Sequence, residues 1–298
     1  MAEDGAWEYV PCPACGSEKR QPFFSRFVAQ GPRRYNHKIV RCGNCGLLYQ
    51  NPLCRIDTTK YFASITDAAQ EMRQQAITRM NVYLKGIAEI ERLNHDAEPW
   101  KILDIGCGTG VFMSLARSYG YDVRGVEASA AQVGRAREWL GLNVECSSSL
   151  DGLFEPEIFD LATLWDVLEH VEKPREMLLQ IHRVLRKGGW LLLKVPNGPH
   201  YLAKAKILSR VYPRDFDHMG FGEHLVYYDA KSIGRLLILA GYTSLKIRNG
   251  EVELLDGPAS LARAVRELKR AMVVMSKHAG NALGCCMGPS LFVTAQKK

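Results

Sequence analysis

From residue 100 onward the chain alternates between two hydrophobic periods. "WKILDI" (100–105), "DVRGVE" (122–127), "NVEC" (143–146), "FDLATLWD" (159–166) and "WLLLKVPN" (190–197) are short apolar runs, the pattern of strands buried on both faces. Between them, "GVFMSLARSYG", "SAAQVGRAREWLG" and "PREMLLQIHRVLRKGG" repeat apolar residues every three or four positions. The third opens on Pro and closes on basic residues and Gly, the expected helix ends. Strands alternating with helices predict parallel pairing, right-handed crossovers and a doubly wound α/β sheet. After an aromatic- and histidine-rich insertion, 198–228, the pattern predicts a helix at "DAKSIGRLLILAG", a strand at "YTSLKI", a basic helix over 260–278 and a last strand at "SLFVTAQ".

Upstream, "EMRQQAITRMNVYLKGIAEIERL" carries Met72, Ala76, Met80, Leu84, Ile87 and Ile90 at helical spacing, and Pro99 ends the segment. Residues 12–46 read as compact and loop-rich. The organisation expected is a small N-terminal module over 1–56, a helical connector over 57–99, and an α/β domain over 100–298. In the connector, Tyr61 and Phe62 are placed to cover a ligand or to pack.

Composition adds bounds. The 298 residues are 47% hydrophobic and 24% charged, ordinary for a globular chain. No apolar run reaches the roughly 18 residues of a membrane span. The start lacks the order of a signal peptide. A cytoplasmic setting is expected, with cysteines as thiols or metal ligands. The net charge of +7 sits at the ends: residues 257–298 hold seven Lys and Arg against one Glu, and 1–60 hold nine basic groups against five acids. That suits an anionic partner. It equally suits a solvated helix face, since Arg263, Arg266 and Arg270 lie opposite Leu261, Val265, Leu268 and Met272.

"LDIGCGTG" (103–110) follows a predicted strand and opens a predicted helix. Its glycines permit close backbone approach and positive φ. The spacing G-x-G-x-G departs from the dinucleotide fingerprint, and Asp104 precedes it. A carboxylate would repel a pyrophosphate there and attract a cation. Glu127 ends the second strand, placed to accept both hydroxyls of a ribose. A nucleoside bearing positive charge fits, as S-adenosylmethionine does.

These residues, with "FDLATLWDVLEHV", "LRKGGWLLLKVPN" and "EHLVYYDAKSIGRLLILAGY", resemble the class I S-adenosylmethionine-dependent methyltransferases over 100–197 and, more loosely, 229–298. The resemblance implies a seven-stranded, mostly parallel Rossmann-like sheet with its last strand antiparallel. It implies cofactor contacts from Asp104, Gly106, Gly108 and Glu127, with Cys107 carried in the loop as a small buried residue. It implies Trp165 and Asp166 lining the pocket. Many members place an Asp after the third strand. Here the segment is "CSSSL", so Ser147 or Ser148 is expected in its place.

For the methyl acceptor, the insertion offers His200, His218, His224 and six tyrosines and phenylalanines, a mixture suited to a partly polar ring. An O- or C-methyltransferase needs a base to take the acceptor proton. His224, with Glu223 as its orienter, is the expected pair. A competing set, Asp166, Glu169 and His170, has the spacing i, i+3, i+4. It is similar to a set in the ubiquinone-pathway O-methyltransferases that is linked to a divalent cation.

Cys12/Cys15 and Cys42/Cys45 form two C-x-x-C-G knuckles 26 residues apart. Four thiolates give Zn²⁺ a closed tetrahedral shell, so the expected role is structural. Such a ribbon ahead of a methyltransferase domain is similar to bacterial sugar C- and O-methyltransferases and, less closely, to ribosomal RNA methyltransferases. The expected function is methyl transfer, O- or C-methylation, to a small-molecule acceptor of the sugar or nucleotide-sugar class. The alternatives are an rRNA or tRNA methyltransferase and a non-catalytic binding module with a vestigial cofactor fold. Arg33, Arg34, Tyr35 and His37, between the knuckles, are expected to face substrate.

Overall fold

The computed structural model describes residues 7–30, 33–54, 68–95, 98–208, 224–251, 274–275 and 286–298. All of the basic helix but residues 274–275, together with Tyr61, Phe62, His218 and Glu223, lies outside the described residues.

The N-terminal segment forms β1 (Trp7–Glu8), β2 (Arg20–Gln30), β3 (Arg33–Cys42), β4 (Leu48–Gln50) and β5 (Leu53–Cys54). The expectation of a loop-rich stretch is corrected here. β2 and β3 make a long antiparallel hairpin from Arg20↔Cys42 to Gln30↔Arg33. Most of the 26 residues between the knuckles lie in its two arms, which satisfy each other's backbone groups.

Helix α1 (Ala68–Leu93) follows. Its buried stripe is Val82, Tyr83, Gly86, Ile87, Ile90 and Leu93. Ile87 and Ile90 face inward as expected, but Leu84 is exposed. The helix is rotated because Gly86 lies against Trp165: a Cβ there would come 2.5 Å from the indole.

Next come β6 (Lys101–Ile105), α2 (Val111–Ser118), β7 (Asp122–Glu127), α3 (Ala130–Leu140), β8 (Asn143–Cys146), β9 (Phe159–Trp165), α4 (Pro174–Val184) and β10 (Leu185–Pro196). α5 (Gly198–Leu208), β11 (Val226–Tyr227), α6 (Ala230–Leu239), β12 (Tyr242–Asn249) and β13 (Ser290–Lys297) complete the described chain. Seven strands form one sheet in the order β12-β13-β10-β9-β6-β7-β8. β8, β7, β6, β9 and β10 are parallel, and β13 is antiparallel to both neighbours. This is the α/β architecture expected from the sequence.

α4 is shorter than its pattern suggested. It ends at Val184, and Leu185 already pairs with Phe159 before a bulge at Arg186–Gly189. Leu185 is wholly buried, so the sheet claims it although "RVLRKGG" still reads as helix.

Two apolar clusters flank the sheet. One joins α1, α2 and α3 to it through Tyr83, Phe112, Val133 and Trp165. The other joins α4 and α6 to it through Leu178, Ile181, Ile233 and Leu236. This second cluster continues without a break into Cys12, Val40, Leu47 and Tyr49 of the N-terminal segment. A second sheet, β11-β4-β3-β2, makes the same connection through the backbone. Its fourth strand, β11, comes from the insertion.

Candidate active site

The cofactor-type loop is built where β6 ends. Gly106 N donates to Val126 O at 2.8 Å, which ties the loop to β7. Gly110 stands at the N-terminus of α2 with φ 81°, and a Cβ there would run into Leu142. Gly108 has φ 57° and nothing within 4 Å of where its Cβ would be. The loop is therefore open to a ligand on that side.

Two carboxyl groups face this cradle. Glu127 accepts Gly108 N through Oε2 at 3.0 Å and Ser129 N through Oε1 at 2.9 Å. It holds the loop against the N-terminus of α3 and stands at the strand end where a ribose would lie. Asp104 is buried, and its Oδ1 accepts from Thr163 Oγ1 at 2.6 Å. Oδ2 has no hydrogen-bond partner among the described residues. Burial, opposed by the Thr163 hydrogen bond and aided by Glu127, lifts Asp104 to about 7. An orphaned buried carboxyl oxygen beside an open glycine loop fits the amino group of S-adenosylmethionine. Cys107 is partly buried, and its Sγ approaches Gly125 within the core.

Ser147 and Ser148 follow β8. Ser147 N donates to Glu127 O at 3.0 Å, and its hydroxyl donates to Ser149 O at 2.8 Å, a local turn. Ser148 is exposed. Trp165 lies in the core: its ring contacts Phe112 at 4.8 Å and Tyr83 at 5.6 Å between centroids. Its Nε1 has no hydrogen-bond partner among the described residues.

The acceptor side corrects one expectation. Asp166, Glu169 and His170 do not share a helical face. Asp166 has φ 56°, and only Leu168–His170 makes a single 3₁₀ turn. Asp166 turns to Lys194, whose Nζ donates to both carboxylate oxygens at 2.9 and 2.7 Å. Arg79 adds a contact at 3.5 Å. Burial would raise this carboxyl, yet the two cations hold it below the usual carboxylate range.

Glu169 and His170 instead meet His224, with one ligand-type atom from each lying within 4.8 Å of the others. His224 of one set expected from the sequence thus lies with Glu169 and His170 of the other. His170 Nε2 is 3.8 Å from Glu169 Oε1. The His170 and His224 rings are 5.0 Å apart, and Tyr201 lies 5.2 Å from His224. Glu169 is 1% exposed, and neither carboxyl oxygen has a hydrogen-bond partner among the described residues. Burial, then the charge of Asp166, pushes it well above the usual range. Burial, then His170, drives His224 down to about 3. The imidazole of His224 is therefore neutral at ordinary pH and, in this enclosed state, a weak base, since burial disfavours the imidazolium.

Glu169 is the nearest counterpart to the orienter expected of Glu223. It stands 55 positions before His224, and no sequence signal links the two. His37, expected to face substrate, is buried, with Nε2 3.0 Å from the Tyr227 hydroxyl. Of Arg33, Arg34 and Tyr35 the backbone alone, in β3, is described.

The four cysteines converge. Cys12 and Cys45 Sγ are 3.5 Å apart, and Cys15 and Cys42 Sγ are 3.6 Å apart. A tetrahedral Zn²⁺ with bonds of about 2.3 Å separates its sulfurs by about 3.8 Å, so the donor set fits that ion. Backbone N–H groups of Asn44 and Cys45 donate to Cys42 Sγ at 3.4 and 3.5 Å, as thiolate-holding knuckles do.

Comparison with known proteins follows the same lines. The chain is similar to the ubiquinone biosynthesis O-methyltransferase of Rickettsia conorii, 24% identical over 44% of this chain and 47% of that protein. It is similar to the mitochondrial ubiquinone biosynthesis O-methyltransferase of Schizosaccharomyces pombe, 34% identical over 31% of this chain and 36% of that one. It thus spans half or less of the length of these curated relatives. In fold it is similar to phosphoethanolamine N-methyltransferase 2 of Haemonchus contortus, solved with S-adenosyl-L-methionine. That TM-score is 0.55 at 16% identity, over 84% of this chain and 62% of the other. The model of the methyltransferase domain matches residues 71–247, more than half of the chain. The chain belongs to the methyltransferase-domain family.

Proposed function

We propose that the chain transfers a methyl group from S-adenosylmethionine to a hydroxyl of a small, ring-shaped acceptor. The observation that carries the reading is the convergence of Glu169, His170 and His224 beyond the strand edge that carries the glycine cradle. Asp104 would hold the amino end of the cofactor, Gly106 and Gly108 its backbone-facing edge, and Glu127 its ribose. Ser147 and Ser148 would border the adenine. When bound, the cofactor supplies a methyl group already activated on a sulfonium. What remains for the chain is to align the acceptor oxygen, exclude water and take the acceptor proton. His224 would accept that proton. The charge of the Asp166 carboxylate would favour the imidazolium formed. Tyr201, beside His224, would stack on the acceptor ring. The sequence resemblances imply a sugar or nucleotide-sugar acceptor, or RNA; the curated relatives, ubiquinone biosynthesis O-methyltransferases by name, support a small-molecule hydroxyl and not a sugar. The four cysteines would hold a structural Zn²⁺.

A second reading of the same cluster is a divalent cation held by Glu169, His170 and His224, since a carboxylate and two imidazoles are a suitable donor set. Full activity in excess chelator, with four-cysteine zinc retained, supports the base reading; loss of activity restored by Mg²⁺ or Mn²⁺ supports the cation.

The test offers the purified chain S-adenosylmethionine with a catechol, a phenol or a nucleotide-sugar, and reads S-adenosylhomocysteine and methylated product by mass spectrometry. Methyl transfer to a ring hydroxyl is expected. Absence of S-adenosylmethionine binding by calorimetry would overturn the reading.

A further inference from the structure

His224 stands immediately before a strand only two residues long. A strand of that length has no stability of its own. Its geometry must be imposed by what it pairs with, and its partner is β4 of the N-terminal segment, in the register Val226↔Tyr49 and Tyr227↔Leu48. The backbone continues the stitching on both sides. Gln50 N donates to Leu225 O at 2.8 Å, and Leu225 N donates to Glu169 O at 2.9 Å. A path of backbone hydrogen bonds therefore runs from the four-cysteine unit through the residue after His224 to the residue that faces it. One side-chain bond clamps the same junction. His37, 0% exposed in β3, holds the hydroxyl of Tyr227, 3% exposed in β11, at 3.0 Å. The Tyr227 ring lies edge-on to His224 at 6.3 Å and next to Tyr201 at 6.1 Å.

We propose that the N-terminal ribbon is part of the acceptor site, and that His37 and Tyr227 are positioning residues that fix β11 and thereby the imidazole of His224. This deepens the proposed function and rests on the reading of His224 as the base. It explains a buried imidazole and a buried phenol joined across 190 positions of sequence. Each is a costly polar group to enclose, and the bond between His37 Nε2 and the Tyr227 hydroxyl offsets part of that cost. Neither His37 nor Tyr227 touches substrate in this assignment. They act by setting where His224 can be, and a displacement of about 1 Å in such a group costs up to roughly a hundredfold in rate.

The experiment uses the full chain, zinc-loaded and bound to S-adenosylhomocysteine, with ¹³C-labelled histidine. The His224 ring signal is assigned by its loss in His224→Asn. Tyr227→Phe removes one oxygen and keeps the ring, so any movement of the His224 signal reports position rather than a lost ring current. In Tyr227→Phe and His37→Phe the His224 signal is expected to move by more than its linewidth or to broaden. S-adenosylhomocysteine affinity should stay within about twofold, because the cradle is built from other elements. In His37→Gln, whose amide can meet the phenol, the signal should return toward the wild-type position. With the hydroxyl acceptor, turnover should fall about tenfold or more in the two Phe variants and recover in His37→Gln. A His224 signal unmoved in Tyr227→Phe overturns the proposal, and this variant decides if His37→Phe does not fold. Equal loss of melting temperature, cofactor affinity and turnover in every variant, with no rescue by Gln, also overturns it in favour of a purely structural pair. Retained turnover in His224→Asn would instead remove the base reading. Lost turnover there with full turnover in Tyr227→Phe would remove only the positioning pair.

Discussion

A carboxyl taken out of water keeps its proton to higher pH, and Asp104 is buried. Its ordinary value is raised to about 7. Below that value the group is neutral; above it, the carboxylate can pair with the ammonium of a bound cofactor. Affinity for S-adenosylhomocysteine should therefore rise about tenfold from pH 6 to pH 8 by calorimetry. Asp104→Asn should bind more weakly and with a flat profile. A flat profile in the wild type would contradict this assignment. The same shift means that the folded chain binds a proton which the unfolded chain releases between about pH 4 and 7, so this group's contribution to stability falls as pH rises through that window. Asp104, Glu127 and the glycines were legible in the sequence because their chemistry lies within one strand–loop–helix unit and one neighbouring strand end. Asp166 could be singled out in the same way, but its partner could not, because Lys194 comes from β10 and is brought alongside by sheet register.

At the scale of elements, most strands and helices follow from periodicity, and the departures have local causes. The register of α1 is set by Gly86 against Trp165, which a stripe of apolar positions cannot reveal. The end of α4 is set by the pairing of Leu185 with Phe159. α1 is also tied to β12 by Glu89, which is 4% exposed and bonded to both Arg92 and Arg248. Arg248 Nη2 reaches Glu89 Oε1 at 3.2 Å, across 159 positions of sequence. Both arginines are more than two-fifths exposed, so solvent discounts the pairing. Glu89→Ala should cost about 1–2 kcal/mol in urea unfolding, with S-adenosylhomocysteine affinity unchanged. A loss within 0.3 kcal/mol, a roughly zero effect for such a bond, would show that the helix is held by apolar packing alone.

For the whole molecule, the division into ribbon, connector and catalytic-type domain is less complete in space than in sequence. Residues 12–49 and 226–240 share one apolar cluster and one four-stranded sheet. Arg235 Nη1 adds a hydrogen bond to Cys45 O at 2.8 Å, joining α6 to the second knuckle. Local motifs announced each unit, but nothing in "LVYYDA" announced that two of its residues would complete the ribbon sheet. Their pairing depends on contacts between residues almost two hundred positions apart. If four-cysteine zinc stabilises that sheet, chelation should lower the melting temperature by about 5 °C or more, corresponding to a loss of roughly 2–3 kcal/mol. Metal analysis should recover one zinc per chain. An unchanged melting temperature after verified zinc loss would remove the metal from the structural account.

If this methyltransferase-domain chain abstracts the acceptor proton at His224, beside a separately built cofactor cradle, the loss of that imidazole should slow chemistry and spare cofactor binding. The most direct measurement pairs single-turnover methyl transfer with cofactor calorimetry in His224→Ala. The account predicts a fall in the chemical step of about a hundredfold or more, with S-adenosylhomocysteine affinity within about twofold of wild type. Equal losses in turnover and cofactor affinity, or an undiminished chemical step, would contradict it.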